Sequence, residues 1–169
     1  ANLITSELRE TVRQLYQFRC GYCGVTEVDT GNELEIDHYQ PVSRGGKDQL
    51  ENLIYCCSAC NRFKGSVWAS ANNVRRILHP LRDDLAAHFQ DRPDGQLTAL
   101  TETGRFHIEM LHLNRGQLRA QRKRRLLINQ LEQSLATLQE NEANLEQLLV
   151  SRQNQLLEIL RVLFRMPNE

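Results

Sequence analysis

The sequence predicts an α+β fold in which a small zinc-stabilised core is followed by a packed extension and a long helical region. Three observations support this prediction. Two Cys-x-x-Cys pairs bracket a strand-like segment, leucine is abundant while aromatic residues make up only 6% of the 169 residues, and the last third of the chain is nearly free of glycine and proline. We therefore place the core in residues 1–76, the extension in 77–114 and the long helical or coiled-coil region in 115–169.

The bulk composition is typical of a soluble globular protein. Hydrophobic residues make up 40% and charged residues 25% of the chain, and no run approaches the roughly 18 consecutive apolar residues needed to span a bilayer. We expect a cytoplasmic protein without membrane association. Because 21 basic residues balance 21 acidic ones, a nucleic-acid partner would have to be held by local basic patches and not by a global positive field.

Four of the five cysteines predict a structural zinc site. Cys20 and Cys23 form one pair, and Cys57 and Cys60 form the other. Each short loop directs two thiolates at one ion, so that two loops complete a tetrahedral shell, whereas a redox dithiol would need only one pair. Four protein ligands leave no open position, so we expect this zinc to stabilise the fold and take no part in chemistry. Cys56 is expected to pack as a small hydrophobic residue.

Shorter patterns predict the other elements of the core. Apolar residues in segment 8–18 recur at near-helical spacing and predict a helix leading into the first cysteine pair. Segments 35–39 and 52–55 are typical of two strands separated by a loop with proline and glycine, and segment 61–68 predicts a helix after the second pair. The turn-rich segment 77–114 is interpreted as an extension packed on the core.

The C-terminal region predicts a long helix. Between Gly116 and Pro167 lies a window of 50 residues with neither glycine nor proline, which as one helix would extend about 75 Å. Eleven positions alternate by three and four, and nine of them are Ile or Leu, the exceptions being Glu142 and Arg152. The pattern allows pairing with a second copy, an antiparallel hairpin turning near 141–144, or packing on the chain's own core. The seam positions are 128, 131, 135, 138, 142, 145, 149, 152, 156, 159 and 163.

Segment 20–65 combines four further features at fixed spacing. They are Asp37-His38, the Pro41-x-Ser43-x-Gly45-Gly46 loop, Asn52-Leu53 and the run Cys57-x-x-Cys60-Asn61-x-x-Lys64-Gly65. With these features the segment resembles the HNH endonucleases, although the final His of the family's name is Asn in this chain. The resemblance implies a ββα-metal fold, in which two antiparallel strands and a helix hold one divalent cation while zinc stabilises the outside.

The chemistry of phosphodiester cleavage gives these residues distinct roles. The reaction needs a base for water and a Lewis acid for the phosphoryl and leaving oxygens. His38 is the only histidine between the two cysteine pairs, and we predict that it is the general base. Asp37 precedes it on the same strand, so the two side chains point to opposite faces and must have different roles. The resemblance implies that Asp37 and Asn61 bind a catalytic Mg²⁺ or Mn²⁺, and that Asn52 fixes the loop carrying His38.

Two groups of basic residues are candidates for phosphate contacts. One lies on the helix that carries Asn61, and the other falls within about one turn near the start of the long helix. An ordinary solvated helix face is the alternative for either group. The candidates are Arg62, Lys64, Arg119, Arg122 and Lys123.

The leading hypothesis is a metal-dependent DNA endonuclease that acts on double- or single-stranded DNA through water activated by His38 and one Mg²⁺ or Mn²⁺ ion. One alternative is a catalytically silent, zinc-stabilised module that binds nucleic acid. Another is an assembly subunit that forms a homodimer or binds a protein partner through residues 117–166.

Overall fold

A computed structural model describes residues 4–164 and confirms the predicted α+β fold. The chain divides into two compact units, an N-terminal unit, Ala1–Arg124, and a helical unit, Arg125–Glu169. The helices are α1 (Ser6–Leu15), α2 (Glu27–Thr30), α3 (Ser58–Lys64), α4 (Glu102–Met110) and α5 (Gly116–Phe164), and the strands are β1 (Glu35–His38), β2 (Leu53–Cys56), β3 (Phe89–Asp91) and β4 (Leu97–Ala99). Short 3₁₀ helices cover Val42–Arg44, Leu50–Asn52 and Leu85–Ala87.

The hairpin of β1 and β2 is the centre of the N-terminal unit. The strands pair antiparallel, with Glu35 opposite Cys56 and His38 opposite Leu53. All four residues of β2 are buried. Helix α1, whose Val12 is buried, contacts this strand, and helix α3 contacts β1. Strand β1 begins where it was predicted and ends one residue before the predicted 35–39, and β2 is displaced by one residue from the predicted 52–55. Helix α3 begins three residues before the predicted 61–68 and ends at Lys64.

The segment 77–114 belongs to the same unit and adds side chains to the same core. The hairpin of β3 and β4 contacts α4 and places Leu97 in the core, and α4 contributes Ile108. Asn114 then closes the segment, because its side chain accepts a hydrogen bond from the Leu97 N–H at 2.8 Å and donates one to the Leu97 carbonyl at 2.9 Å.

Helix α5 runs without interruption for 49 residues. The hairpin turning near 141–144 is therefore wrong, and the boundary between the two units lies inside the helix, after Arg124. In the helical unit every residue from 127 to 164 is exposed. Among residues 4–164, none of the helices combines the length and the apolar content that crossing a bilayer requires.

Candidate functional site

The four predicted zinc ligands meet in one buried cluster. The sulfur atoms of Cys20, Cys23, Cys57 and Cys60 all lie within 4.8 Å of one another. The Sγ atoms of Cys23 and Cys57 are 3.7 Å apart, close to the separation of about 3.8 Å expected for two thiolates 2.3 Å from a tetrahedral zinc ion. The donor set and its compactness therefore fit a structural zinc ion.

The local fold explains why these thiols converge. In the first loop the Cys20 N–H donates to the Val25 carbonyl, and the Gly24 N–H donates back to the Cys20 carbonyl, with Gly24 in the left-handed region at φ 75°. In the second loop β2 ends immediately before Cys57, which precedes the first turn of α3, so Cys60 lies on that helix. Hydrogen bonds among the four thiols, first of all those with Cys20, lower the pKa of the Cys57 thiol and raise the pKa of the Cys23 and Cys60 thiols.

Asp37 lies in a buried polar network between β1 and α3. Its carboxylate accepts a hydrogen bond of 2.8 Å from the Tyr22 hydroxyl and forms an ion pair of 3.0 Å with the Lys64 ammonium. Lys64 also donates to the His38 carbonyl at 2.8 Å. Burial raises the pKa of Asp37, and the neighbouring ammonium opposes that rise. The network therefore fixes both β1 residues of the candidate site against α3.

The position of Lys64 corrects one prediction. Its side chain is 0% exposed, so the expectation that Lys64 contacts phosphate is wrong. A buried ammonium is retained only where charged or polar groups compensate its desolvation, and here Asp37 and the His38 carbonyl do so. The residue acts inside the fold as the link between α3 and β1.

Asn61 lies one turn before Lys64 on α3 and contacts a different residue of β1. Its Nδ2 donates to the Glu35 carboxylate at 2.7 Å. Glu35 and Asp37 are two positions apart on the strand, so both point to the face that α3 covers. This face therefore carries three oxygen-bearing side chains, those of Glu35, Asp37 and Asn61.

His38 belongs to the other face of the hairpin and is paired with a carboxylate. Its Nε2 lies 2.6 Å from Oδ1 of Asp48, and its side chain is 21% exposed. An imidazole held by a carboxylate and still open to solvent has the arrangement expected of a general base. Asp48 was not predicted as a site residue, although its position two residues after a pair of glycines was a usable signal.

The loop between His38 and Asp48 is held in a tight reversal. A Cβ atom at Gly46 would lie 1.8 Å from the Gln40 carbonyl oxygen, so only glycine fits there. Asn52 Oδ1 accepts a hydrogen bond from the Gln40 N–H at 2.7 Å, and its Nδ2 donates to the Gln40 carbonyl at 3.1 Å. The same Nδ2 donates to the Lys47 carbonyl at 3.0 Å. Asn52 thus contacts both ends of the loop that joins His38 to Asp48, at Gln40 and at Lys47.

The structure does not join the predicted catalytic residues by direct contacts. Within residues 4–164, no hydrogen bond between side chains connects Asp37, His38 and Asn61 to one another, and each has a separate partner. Tyr22, which lies between Cys20 and Cys23, is a further site residue that was not predicted from the sequence. Its role follows from the fold, because only the zinc loop brings its hydroxyl to Asp37.

The remaining basic candidates differ in accessibility. Arg62 and Lys123 are exposed. The Arg119 side chain is 43% exposed, and its Nη2 lies 3.1 Å from Oδ2 of Asp94. Arg122 is buried, and its guanidinium donates hydrogen bonds of 2.7 Å to the carbonyls of Gly95 and Leu113, which compensate its desolvation. The prediction that Arg122 contacts phosphate is therefore wrong.

Comparisons with known proteins agree with the resemblance over this region. Residues 20–66 match the model of the HNH endonuclease family. The chain is similar to the Septu protein PtuA of Bacillus mycoides (strain KBAB4), with 24% identity over 140 residues, an alignment that covers 66% of this chain and 20% of that protein. The chain thus spans about a fifth of the length of that curated relative. No solved structure matches the chain.

Proposed function

We propose that the HNH endonuclease domain at residues 20–66 hydrolyses phosphodiester bonds of DNA, with His38 as the general base. The observation that supports this activity best is the contact of 2.6 Å between His38 Nε2 and Asp48 Oδ1 on a partly exposed face of the hairpin. A histidine that only filled space in the core would have no need of a carboxylate at this distance. The substrate is double- or single-stranded DNA.

Asp48 determines which nitrogen of His38 takes part in the reaction. A carboxylate beside Nε2 stabilises the tautomer that carries its hydrogen there, so Nδ1 is left as the acceptor for a proton from water. When His38 takes that proton, the adjacent Asp48 carboxylate stabilises the resulting imidazolium. Asp48 is thus the positioning residue, and His38 is the catalytic residue.

Asp37 and Asn61 would hold a catalytic Mg²⁺ or Mn²⁺ ion. Carboxylate and amide oxygens are hard donors that suit these cations, and Glu35 adds a third oxygen ligand beside Asn61. Bound there, the ion would act as a Lewis acid on the phosphoryl oxygen and stabilise the departing 3′-oxygen. Lys64 helps to keep Asp37 in the ionised form that such a ligand needs.

Three basic side chains, those of the exposed Arg62 and Lys123 and of the partly exposed Arg119, would neutralise backbone phosphates of the DNA. Contacts of this kind hold DNA without reading its sequence, so the proposal predicts weak sequence preference. It also predicts binding that weakens steeply as salt rises.

The decisive experiment is plasmid nicking in Mg²⁺ or Mn²⁺. We expect His38→Ala to reduce cleavage by at least a hundredfold while leaving zinc content and DNA binding unchanged. His112→Asn is the matched control, since His112 is exposed and has φ 49°, a conformation that asparagine tolerates. Cleavage by the His38→Ala variant at the wild-type rate would remove His38 as the base.

A second candidate function is a catalytically silent module that binds nucleic acid. The observation that favours it is that Tyr22 and Lys64 already contact the Asp37 carboxylate. These contacts would account for a buried aspartate at this position without any metal. The two candidates separate on a panel of single-stranded, duplex and branched DNA and RNA. Binding without cleavage of any member, in either metal, would favour the silent module.

A further inference from the structure

The seam of α5 presents a continuous apolar stripe to solvent. The Ile and Leu side chains at its nine apolar positions are exposed, from 45% for Ile128 to 69% for Leu163. An isolated helix gains little stability in water, and most helices in proteins depend on packing of their apolar face. An exposed stripe of this length therefore indicates a surface that another molecule covers.

Two charged residues interrupt the stripe, and their spacing indicates which molecule covers it. In a heptad numbered abcdefg, Glu142 occupies an a position and Arg152 a d position. Within residues 4–164, neither takes part in an ion pair, and the ion pair found in the helical unit joins Arg161 to Glu158 at 3.8 Å. A complementary partner must therefore offer an acidic group opposite Arg152 and a basic group opposite Glu142.

A second copy of this chain, running antiparallel, meets that requirement. In antiparallel coiled coils an a position of one helix faces a d position of the other, so Glu142 faces the partner's Arg152 when the pair is centred on Gln147. By two-fold symmetry Arg152 then faces the partner's Glu142. The same register aligns apolar seam positions with one another, namely 131 with 163, 135 with 159, 138 with 156 and 145 with 149.

Other arrangements of two copies do not satisfy the charges. In a parallel pair Glu142 would face the partner's Glu142, and Arg152 would face the partner's Arg152, which places like charges together in an apolar seam. An antiparallel pair shifted by one heptad in either direction would place both charges against leucine or isoleucine. The centred register therefore pairs both charges while residues 130–164 of the two helices lie side by side.

We propose that the helical unit forms an antiparallel two-helix coiled coil with a second copy of the chain, with its register set by two reciprocal Glu142 and Arg152 contacts. The interface is isologous, as expected of a two-fold homodimer, because each helix offers the same surface to the other. This inference depends on the helix alone and stands whether or not the N-terminal unit is a nuclease.

Charge exchange tests the proposal on the full chain by sedimentation equilibrium. We expect a dimer for the wild type, at least tenfold weaker dimerisation for Glu142→Arg and for Arg152→Glu, and recovery in the double variant. The reason is that each single change brings like charges together, whereas the double change restores both pairs. All four proteins should keep the same zinc content, because both positions are exposed and lie outside the N-terminal unit.

Two outcomes of the sedimentation experiment would overturn the proposal. One is a wild-type chain that stays monomeric at tens of micromolar concentration. The other is a dimer that both single variants leave unchanged, which is the result expected of a parallel pair or of dimerisation elsewhere in the chain.

The distance between labels at Glu132→Cys measures the orientation directly. In the centred register the labelled positions of the two copies are 30 residues apart along the pair, or about 45 Å at the helical rise. A parallel pair would bring them to about 10 Å, the separation of packed helices. The five native cysteines are buried, so the introduced thiol is the accessible one. A short distance would exclude the antiparallel arrangement.

Discussion

The N-terminal unit and the helical unit use charged residues in opposite ways. In the N-terminal unit Lys64 and Arg122 are buried, and each is held by carbonyl or carboxylate oxygens distant in sequence. In the helical unit every residue from 127 to 164 is exposed, and neither Glu142 nor Arg152 forms an ion pair with another residue of segment 4–164. The first pattern stabilises one folded chain, whereas the second is the pattern from which we propose pairing with a second copy.

Zinc removal should give the largest difference in stability between the two units. The cluster joins two loops of a small unit, and structural zinc contributes on the order of 10 kcal/mol to folding in comparable sites. We expect a chelator to unfold residues 20–66 as a unit, while the helical unit, which contains no cysteine, keeps its helical signal in circular dichroism.

Two adjacent cysteines supply the control for that experiment. Cys57→Ala should lose zinc and cooperative melting, whereas Cys56→Ala should keep bound zinc, because Cys56 is outside the cluster. Cooperative melting of the N-terminal unit without metal would contradict the proposed role of zinc.

Removal of the buried cation should have the next largest effect. Lys64→Met leaves the Asp37 carboxylate buried without its cation, and we expect the free energy of unfolding to fall by about 3 kcal/mol. The comparison is Lys123→Met at an exposed position, for which about 0.5 kcal/mol or less is expected. Urea unfolding of the zinc-loaded chain measures both. Equal stability of the two variants would show that Lys64 does not contribute through its buried ion pair.

The smallest expected effect concerns the pH dependence of the N-terminal unit. Burial lowers the pKa of His107 to about 3, and its Nδ1 accepts a hydrogen bond of 3.0 Å from the Leu78 N–H. Below pH 6.5 the unfolded chain therefore binds a proton that the folded chain does not, so stability falls as the pH falls from 6.5 towards 3. The loss attributable to His107 should be about 2 kcal/mol between pH 7 and pH 5.

The measurement compares His107→Gln with the wild type, both loaded with zinc, by urea unfolding at several pH values. The variant should give a flatter curve, since glutamine does not titrate in this range. His112→Asn, at an exposed position, is the matched control for the loss of a histidine. A wild-type slope in the His107→Gln variant would contradict the assignment.

Much of the candidate site could be predicted from short stretches of sequence. The four zinc ligands, the two strands and the assignment of Asp37 and His38 to opposite faces follow from local spacing and strand periodicity. The pairing of His38 with Asp48 was not predicted, although only a ten-residue separation lies between them. It depends on the reversal that Gly46 permits, which spacing alone does not describe.

The four predicted zinc ligands follow from spacing in the sequence, because two short loops can direct four thiolates at one ion. The long helix follows from the absence of glycine and proline between residues 117 and 166. The accessibility of the basic side chains, in contrast, depends on the tertiary structure. The contacts of Lys64 with Asp37 and of Arg122 with Gly95 each join residues 27 positions apart. Burial of a charge depends on groups that folding brings from elsewhere in the chain, and a basic residue in a helix looks the same in sequence whether its partner is a carboxylate in the core or a phosphate in solution.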